Sequence, residues 1–191
     1  MFKRLQLVAA CAAIALCTTP IFADGNVNFS LGTRSLNEND LQPVNEQPFL
    51  GVSADFKMEN WPIDLAGGLY RSTKSESIGT VDLSATITEL SFGVVKTWNL
   101  AQNMHPFAGG GLSMVKVEAK VSNATFGSAN ESDTSTAMYA EGGVYWRFGT
   151  TFNVGVHARY DNSSNVSIGG GNFDSDYIQF GVLAGFGWGT K

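Results

Sequence analysis

Acid–base chemistry near neutral pH would depend on the two histidines of this 191-residue sequence, His105 and His157, because imidazole titrates in that range. A hydrolytic site would also need a nucleophile and an orienting acid within hydrogen-bond reach of the base. The candidates around His157 are Ser163 or Ser164 and Glu141. Alternation directs His157 to one face of a strand, whereas both serines fall in a polar loop. The sequence therefore predicts no catalytic residue and no enzyme.

The cysteines carry no chemistry in the mature chain. Cys11 and Cys17 lie in a positively charged and then apolar N-terminal stretch that ends at Ala23 and resembles a secretory signal. We predict a cleaved signal peptide at residues 1–23 and one domain at residues 24–191. Because the mature chain then lacks cysteine and has no spaced set of carboxylates, we predict no metal and no cofactor.

Net charge excludes one class of partner. Cleavage removes Lys3 and Arg4, which leaves ten basic against 17 acidic residues and a net charge of −7. A nucleic-acid binder needs the opposite sign to neutralise phosphates. After the signal, no apolar run approaches the ~20 residues of a membrane-spanning helix.

Alternation of apolar and polar residues is the main structural signal. In residues 152–160, Phe, Val, Val, Ala and Tyr stand at even positions and Asn, Gly, His and Arg at odd positions. Strands that cross a membrane need about 9–11 residues. The pattern predicts an all-β fold, an eight-stranded antiparallel up-and-down transmembrane β-barrel. Its segments lie at about residues 27–32, 50–57, 63–69, 83–98, 104–121, 137–148, 152–160 and 177–188.

Two of these segments are irregular. In the fourth, apolar residues occupy odd positions before Thr88 and even positions after it, which predicts a β-bulge near Thr88. The fifth contains three consecutive glycines at residues 109–111, and its facing stays open.

The connections alternate in length, as they do in outer-membrane barrels with short periplasmic turns and long external loops. The predicted short turns lie at residues 59–62, 99–103 and 149–150, and the predicted long polar loops at residues 35–46, 72–80, 122–136 and 161–176.

Aromatic side chains concentrate at the two ends of the strands. The tryptophans fall beside the short turns, and four tyrosines fall beside the long loops, at Trp61, Trp98, Trp146 and Trp188 and at Tyr70, Tyr139, Tyr160 and Tyr177. Rings with one polar edge favour the membrane–water interface, so we predict two aromatic belts.

Either face of the alternation could line the interior. An apolar interior would make a soluble carrier of lipocalin type, with a charged outer surface. The polar positions are instead mostly Gly, Ser, Asn and Thr, which suit a narrow filled lumen, and the apolar positions suit lipid. The lipid-facing exceptions, Lys96 and Lys116, lie near strand ends, where they can reach head groups.

The few charges on the polar face are predicted to pair for structural reasons. They are Asp55, Lys57, Asp64, Glu89, Glu141, His157 and Arg159. The turn at residues 59–62 places Lys57 opposite Asp64, and the next-to-last hairpin brings Glu141 level with His157 or Arg159. An unpaired buried ion costs several kcal/mol, so these pairs are interpreted as staples.

Residues 26–188 resemble the small outer-membrane barrels of OmpA and OmpX type. The motif at residues 105–112, HPFAGGGL, is similar to the strand start Pro-aromatic-x-Gly-x-Gly of that group, and residues 185–188, GFGW, resemble its C-terminal assembly signal. Lipid A deacylases of this fold carry His-x-Ser, whereas this chain has His157-Ala158-Arg159. The resemblance implies location in the outer membrane of a Gram-negative bacterium.

Three functions stay open, in decreasing order of preference. The first is a non-enzymatic barrel with a structural or surface-contact role through its external loops. The second is a narrow OmpW-like channel for small apolar molecules, and the third, disfavoured, is a lipid A-modifying enzyme. The expected partners are outer-membrane lipid and lipopolysaccharide, the barrel-assembly machinery, periplasmic chaperones and a host or surface ligand.

Overall fold

Ten β-strands make up the fold in a computed structural model, which describes residues 24–36, 46–58, 60–79, 81–101, 103–123, 127–163, 166–168, 171–173 and 176–189. The strands are β1 (Asp24–Leu36), β2 (Glu46–Lys57), β3 (Asp64–Ile78), β4 (Val81–Thr97), β5 (Met104–Asn123), β6 (Gly127–Phe148), β7 (Phe152–Ser163), β8 (Val166–Ile168), β9 (Gly171–Phe173) and β10 (Tyr177–Trp188). No helix in these residues is long and apolar enough to cross a membrane. The predicted signal peptide lies outside the described residues.

Eight of these strands close into an antiparallel barrel, with β8 and β9 as a separate small hairpin. Each barrel strand pairs with its neighbour in sequence, and β1 pairs with β10 from Gly25 opposite Trp188 to Leu36 opposite Tyr177. This closure leaves no free edge around the barrel wall, so every strand there has hydrogen-bonding neighbours on both sides. The predicted eight-stranded up-and-down barrel is confirmed.

The apolar face of the strands points outward. On β4, Phe92 is 63% exposed, whereas its neighbour Ser91 is 1% exposed. The facing of β5, which the sequence left open, follows the same rule: Leu112 and Met114 are exposed, and Ser113 and Val115 are buried. Side chains of successive residues point to opposite faces, so the lipid-facing orientation extends through all eight strands.

The predicted bulge near Thr88 is wrong. Thr88 pairs with Arg71 on β3 and with Lys116 on β5, in ladders that continue without a skipped residue on both sides. Ile87 is apolar and points inward, where it joins a buried apolar cluster of Leu36, Ile87, Val115, Val117, Ala137 and Tyr177. Apolar residues move from odd to even positions of β4 because the interior is apolar beside Ile87 and polar farther along the strand. The register of the strand does not change.

Two predicted long loops are also wrong, because the β3–β4 ladder continues to Ile78 opposite Val81 and the β5–β6 ladder continues to Asn123 opposite Gly127. Strands β3, β4, β5 and β6 have 15, 17, 20 and 22 residues. Crossing a membrane takes only about 9–11 residues. The serine and threonine side chains of these segments are too polar for lipid, so the membrane-spanning part of each strand ends there. The backbone N–H and C=O groups still hydrogen-bond to the neighbouring strands, so the sheet itself continues.

The excess length forms what we call the projecting sheet, residues 73–78, 81–86, 118–123 and 127–132. The ladder of β2 with β3 ends at Phe49 opposite Ser72, and that of β7 with β6 ends at Ser163 opposite Ala137. Beyond these points no described strand pairs with the free side of β3 or of β6, although β4 and β5 continue between them. The small β8–β9 hairpin lies near β6.

The outward orientation predicts a position-dependent penalty for charge on β4. Phe92→Arg places a cation in the middle of the apolar band and should lower the free energy of unfolding by about 2–4 kcal/mol. Thr86→Arg, on the same face but in the projecting sheet, should change it by less than about 1 kcal/mol. Urea titration of the folded protein in lipid vesicles measures both, and equal losses would contradict the assigned faces.

Candidate functional site

The most highly connected group of side chains lies inside the external half of the barrel, around Glu89 of β4. Glu89 is completely buried. It forms ion pairs with Arg34 of β1, at 2.8 Å, and with Arg159 of β7. The hydroxyl of Tyr177 on β10 also donates a hydrogen bond to its carboxylate. One carboxylate thus joins four strands across the lumen, and we call this group the Glu89 cluster.

Arg159 extends the Glu89 cluster to two more carboxylates. Its guanidinium lies 3.2 Å from Oε2 of Glu141, its predicted cross-strand neighbour, and 3.5 Å from Oδ2 of Asp161. Asp161 in turn accepts a hydrogen bond from the hydroxyl of Ser113, 3.0 Å away. The predicted choice for Glu141 between His157 and Arg159 is therefore decided in favour of Arg159, which stands directly opposite it.

Three of the four tyrosines predicted to form an external belt belong to this cluster instead. Tyr70, Tyr139 and Tyr177 are at most 6% exposed, and only Tyr160 points outward, at 46%. The guanidinium of Arg159 lies 3.6 Å from the Tyr139 ring centre, and that of Arg34 lies 4.0 Å from the Tyr177 ring centre. Such contacts stabilise a desolvated cation by roughly 2 kcal/mol. The belt prediction is therefore wrong for Tyr70, Tyr139 and Tyr177.

Glycine makes room for one of these rings. A Cβ added at Gly68 would lie 2.7 Å from the Tyr70 ring, and one added at Gly51 would meet the same ring from β2. Since these distances are shorter than side chains tolerate, the glycines on the inward face allow an aromatic ring to cross a narrow lumen. The tryptophans, by contrast, lie near the short-turn ends as predicted, with Trp61, Trp98 and Trp146 exposed.

A second polar layer closes the opposite end of the lumen. Asn26 donates to Asp55 at 2.7 Å and accepts from Asn153 at 3.0 Å, and Arg147 donates to Asn153 at 2.9 Å. Between the layers lies a cavity of about 40 Å³, lined in part by His157. A cavity of this size holds about one or two waters, so the described interior is filled rather than open.

The predicted staple between Lys57 and Asp64 does not form. Lys57 is paired with Asp24 of β1 instead, with Nζ 3.8 Å from Oδ2. The ladder between β2 and β3 ends at Phe56 opposite Leu65, one residue short of the predicted pair. Without a ladder at that position, nothing holds the two side chains at ion-pair distance.

The residues weighed for hydrolysis are not brought together in the described part of the chain. His157 points inward and packs edge-on against Phe49, with ring centres 6.0 Å apart, while Glu141 is held by Arg159. The side chain of Ser163, and Ser164 entirely, lie outside what the structure describes. No three His, Cys, Asp or Glu side chains among the described residues could hold a metal ion.

The sequence did not indicate Arg34 or Arg147 as parts of the interior. Period-two alternation could have indicated that Arg34 points inward, because Arg34 lies on the same face of β1 as Asn26, Asn28 and Ser30, which are all buried. Their partners could not be read from sequence. Arg34 and Glu89 are 55 residues apart, and Arg147 and Asn26 are 121 residues apart.

Comparison with known proteins agrees with this geometry. A family model described as "Outer membrane protein beta-barrel domain" matches residues 9–186. No curated protein matches the chain significantly.

Solved structures with the same fold include three outer-membrane or surface proteins. Ail, the attachment invasion locus protein of Yersinia pestis, has 13% identity over 87% of this chain and 99% of that one, with a TM-score of 0.61. A major outer membrane protein from Thermus thermophilus has 8% identity over 86% and 99%, with a TM-score of 0.65. Neisserial surface protein A has 12% identity over 87% and 96%, with a TM-score of 0.56. At such identities the likeness shows the fold alone.

The geometry of the Glu89 cluster predicts a large effect of removing its central carboxylate. Glu89→Ala leaves two buried guanidinium groups without a principal partner and should lower the free energy of unfolding by about 3–5 kcal/mol. Glu76→Ala removes the acid of an exposed pair with Lys74, at 3.5 Å, and should cost less than about 1 kcal/mol. Urea unfolding in vesicles compares the two. Equal effects would show that the cluster does not stabilise the barrel.

Proposed function

Because the chain belongs to the family of outer membrane protein β-barrel domains and is located in the bacterial outer membrane, we propose that it acts in surface contact, without catalysis, through the projecting sheet. The observation that carries this proposal is the length of β3 to β6, up to 22 residues in β6. The six residues that each strand contributes to the projecting sheet correspond, at ~3.4 Å per residue, to roughly 20 Å of strand beyond the barrel.

A hydrogen-bonded sheet is better suited to contact than the long polar loops predicted from the sequence. Its backbone is ordered before any partner arrives, so binding costs less conformational entropy. Beyond Ser72, no described strand pairs with β3 on the side away from β4, and before Ala137 none pairs with β6 on the side away from β5. Strand edges of this kind present backbone donors and acceptors to a partner. We infer that the projecting sheet as a whole, rather than a single side chain, makes the surface contact.

The outer face of the projecting sheet is rich in hydroxyl groups. Thr73 and Thr86 face each other with oxygens 3.1 Å apart, and Ser75 donates to Ser84 at 2.9 Å. Rows of hydroxyls offer hydrogen bonds without strong net charge. This chemistry favours a neutral polar partner, such as a glycan or a peptide backbone, over a polyelectrolyte.

A sulfated partner is not favoured. Ail has been solved in complex with the heparin analogue sucrose octasulfate, but its 12% identity to this chain carries over the fold alone. The described residues of the projecting sheet carry four acids, Glu76, Asp82, Glu118 and Glu131, against two lysines, Lys74 and Lys120. A surface with this negative balance gives a weak field for a polyanion.

The filled lumen argues against the second candidate, a narrow channel for small apolar molecules. The Glu89 cluster and the layer around Asn26 both cross the interior, and the cavity between them measures about 40 Å³. A third candidate, modification of lipid A, lacks an assembled nucleophile and base among the described residues. Mass spectrometry of lipid A from cells with and without the gene tests it, since a lost acyl chain would require an enzyme.

Partners in assembly follow from the same location. We propose that the barrel-assembly machinery reads β10, whose outward residues Phe180, Phe186 and Trp188 alternate with inward glycines, and that periplasmic chaperones deliver the chain. Outer-membrane lipid and lipopolysaccharide then surround the outward apolar face.

Removing the projecting sheet should abolish surface contact but preserve the barrel. Replacing residues 73–86 and 118–132 each with Asn-Gly joins Ser72 to Ile87 and Val117 to Asp133, which are already paired, through the turn preferred for two-residue hairpins. Bacteria producing this variant should lose attachment to glycoprotein-coated and protein-coated surfaces. A heat-modifiability gel controls for folding, and full attachment by a folded variant would exclude the proposed role.

Electrical recordings separate the surface role from the channel. Purified protein in planar bilayers should show no steady openings, because both polar layers block the lumen. The Phe92→Arg and Thr86→Arg proteins serve as controls for leakage caused by damaged barrels. Steady openings of one defined size from undamaged protein would favour the channel.

A further inference from the structure

The outer face of the barrel changes from apolar to polar at one row of side chains. On β3 the last exposed apolar residue is Leu69, and Arg71 is the next outward residue. On β4 the corresponding change is from Leu90 to Thr88, and on β5 it is from Met114 to Lys116. Outward residues beyond this row belong to the projecting sheet. The row therefore marks the level where the external lipid head groups meet the protein.

The three residues of this row are cross-strand neighbours. Arg71 pairs with Thr88, and Thr88 pairs with Lys116. Adjacent strands lie about 4.8 Å apart, so the backbones of the two cationic residues are separated by roughly 10 Å. Both side chains are long enough to converge above the hydroxyl of Thr88.

The described residues neutralise the charge of this row only in part. Arg71 is exposed and forms no ion pair with any described residue. Lys116 pairs with Glu118 at 2.9 Å, but the side chains are still 39% and 29% exposed. An exposed pair of this kind contributes little, so Lys116 can exchange the contact with Glu118 for one with a stronger anion at small cost.

An arginine suits a phosphate because its guanidinium donates two parallel hydrogen bonds, and a lysine adds a point charge. A threonine hydroxyl between them supplies a further donor. Apolar side chains directly below, Leu69, Leu90 and Met114, are 44%, 41% and 55% exposed. The same patch thus offers donors at head-group level and an apolar surface beneath, which is the order of chemistry in a phospholipid or lipid A molecule.

We propose that Arg71, Thr88 and Lys116 form a binding site for the phosphate of a lipid in the external leaflet, whose acyl chains lie against Leu69, Leu90 and Met114. The site holds the barrel at a defined depth and lies outside the projecting sheet, so it is independent of surface contact. Glu118 competes with the lipid phosphate for Lys116.

The test measures binding by the folded protein in a zwitterionic detergent, by isothermal titration. The probes are dioctanoyl phosphatidic acid, dioctanoylglycerol with the same chains but no phosphate, and inorganic phosphate. We expect binding of the phosphatidic acid, with affinity that falls as salt is added, and at least tenfold weaker binding of the other two. Equal binding of dioctanoylglycerol would reduce the site to an apolar contact, and equal binding of inorganic phosphate would make it a simple anion site; either result overturns the proposal.

Variants locate the site. Each juxtamembrane cation contributes about 1 kcal/mol, so Arg71→Gln and Lys116→Gln should each weaken phosphatidic acid binding about fivefold. Glu118→Gln should tighten it, because it removes the carboxylate that competes with the phosphate for Lys116. The matched control is Lys120→Gln, on the same face of β5 but farther from the barrel, which should change affinity less than twofold.

All four substitutions are at solvent-accessible positions, and a heat-modifiability gel confirms folding of each protein. A loss in Lys120→Gln equal to that in Arg71→Gln would show a general charge effect in place of a site. No tightening in Glu118→Gln would contradict the proposed competition.

Discussion

Backbone hydrogen bonding in hydrocarbon is the constraint on which this structure depends. Lipid offers no partner to an unpaired N–H or C=O group, and each such group costs several kcal/mol. The chain satisfies this by pairing β1 with β10, so that the wall has no edge. The same requirement disappears outside the membrane, where water can hydrogen-bond to the backbone. This explains why β3 and β6 can continue beyond their neighbours as edge strands in the projecting sheet, while no edge remains in the barrel itself.

Closure with eight strands has a second consequence, because the interior is only wide enough for side chains. Every inward residue must fit among those of the other strands, and every inward charge must find a partner there. The Glu89 cluster meets both conditions at once: two arginines, three carboxylates and the tyrosine rings occupy the external half of the lumen. Above it the interior becomes apolar, around Ile87 and Val115. The interior is therefore a packed core in which charged and apolar layers follow one another along the barrel axis. Because these layers fill the lumen, surface contact is better supported than permeation.

The outer surface is divided along the strand axis in a similar way. Apolar residues on β4 give way to threonine at Thr88, and from there hydroxyl pairs such as Thr73 with Thr86 continue outward. Lipid, head groups and water each contact a different part of the same continuous strands. A lipid-phosphate site at the boundary and a contact surface beyond it can therefore act independently, although they share β3, β4 and β5.

The sequence alone determined the features that depend on neighbouring residues. Period-two alternation was sufficient to predict eight strands, their antiparallel order, the lipid-facing side and a partner for Glu141 across a short hairpin, either His157 or Arg159. Tertiary structure decided what depends on distant residues. Arg34 meets Glu89, 55 residues away, only because closure and strand tilt bring β1 level with β4. Alternation already places Tyr70 and Tyr177 on the inward face, and closure decides which guanidinium group each ring meets. Likewise, Ser- and Thr-rich segments became strands instead of loops because long neighbours were present to pair with them. Local pattern sets the face on which a side chain lies, whereas barrel closure sets the height at which it lies and the side chain that it meets.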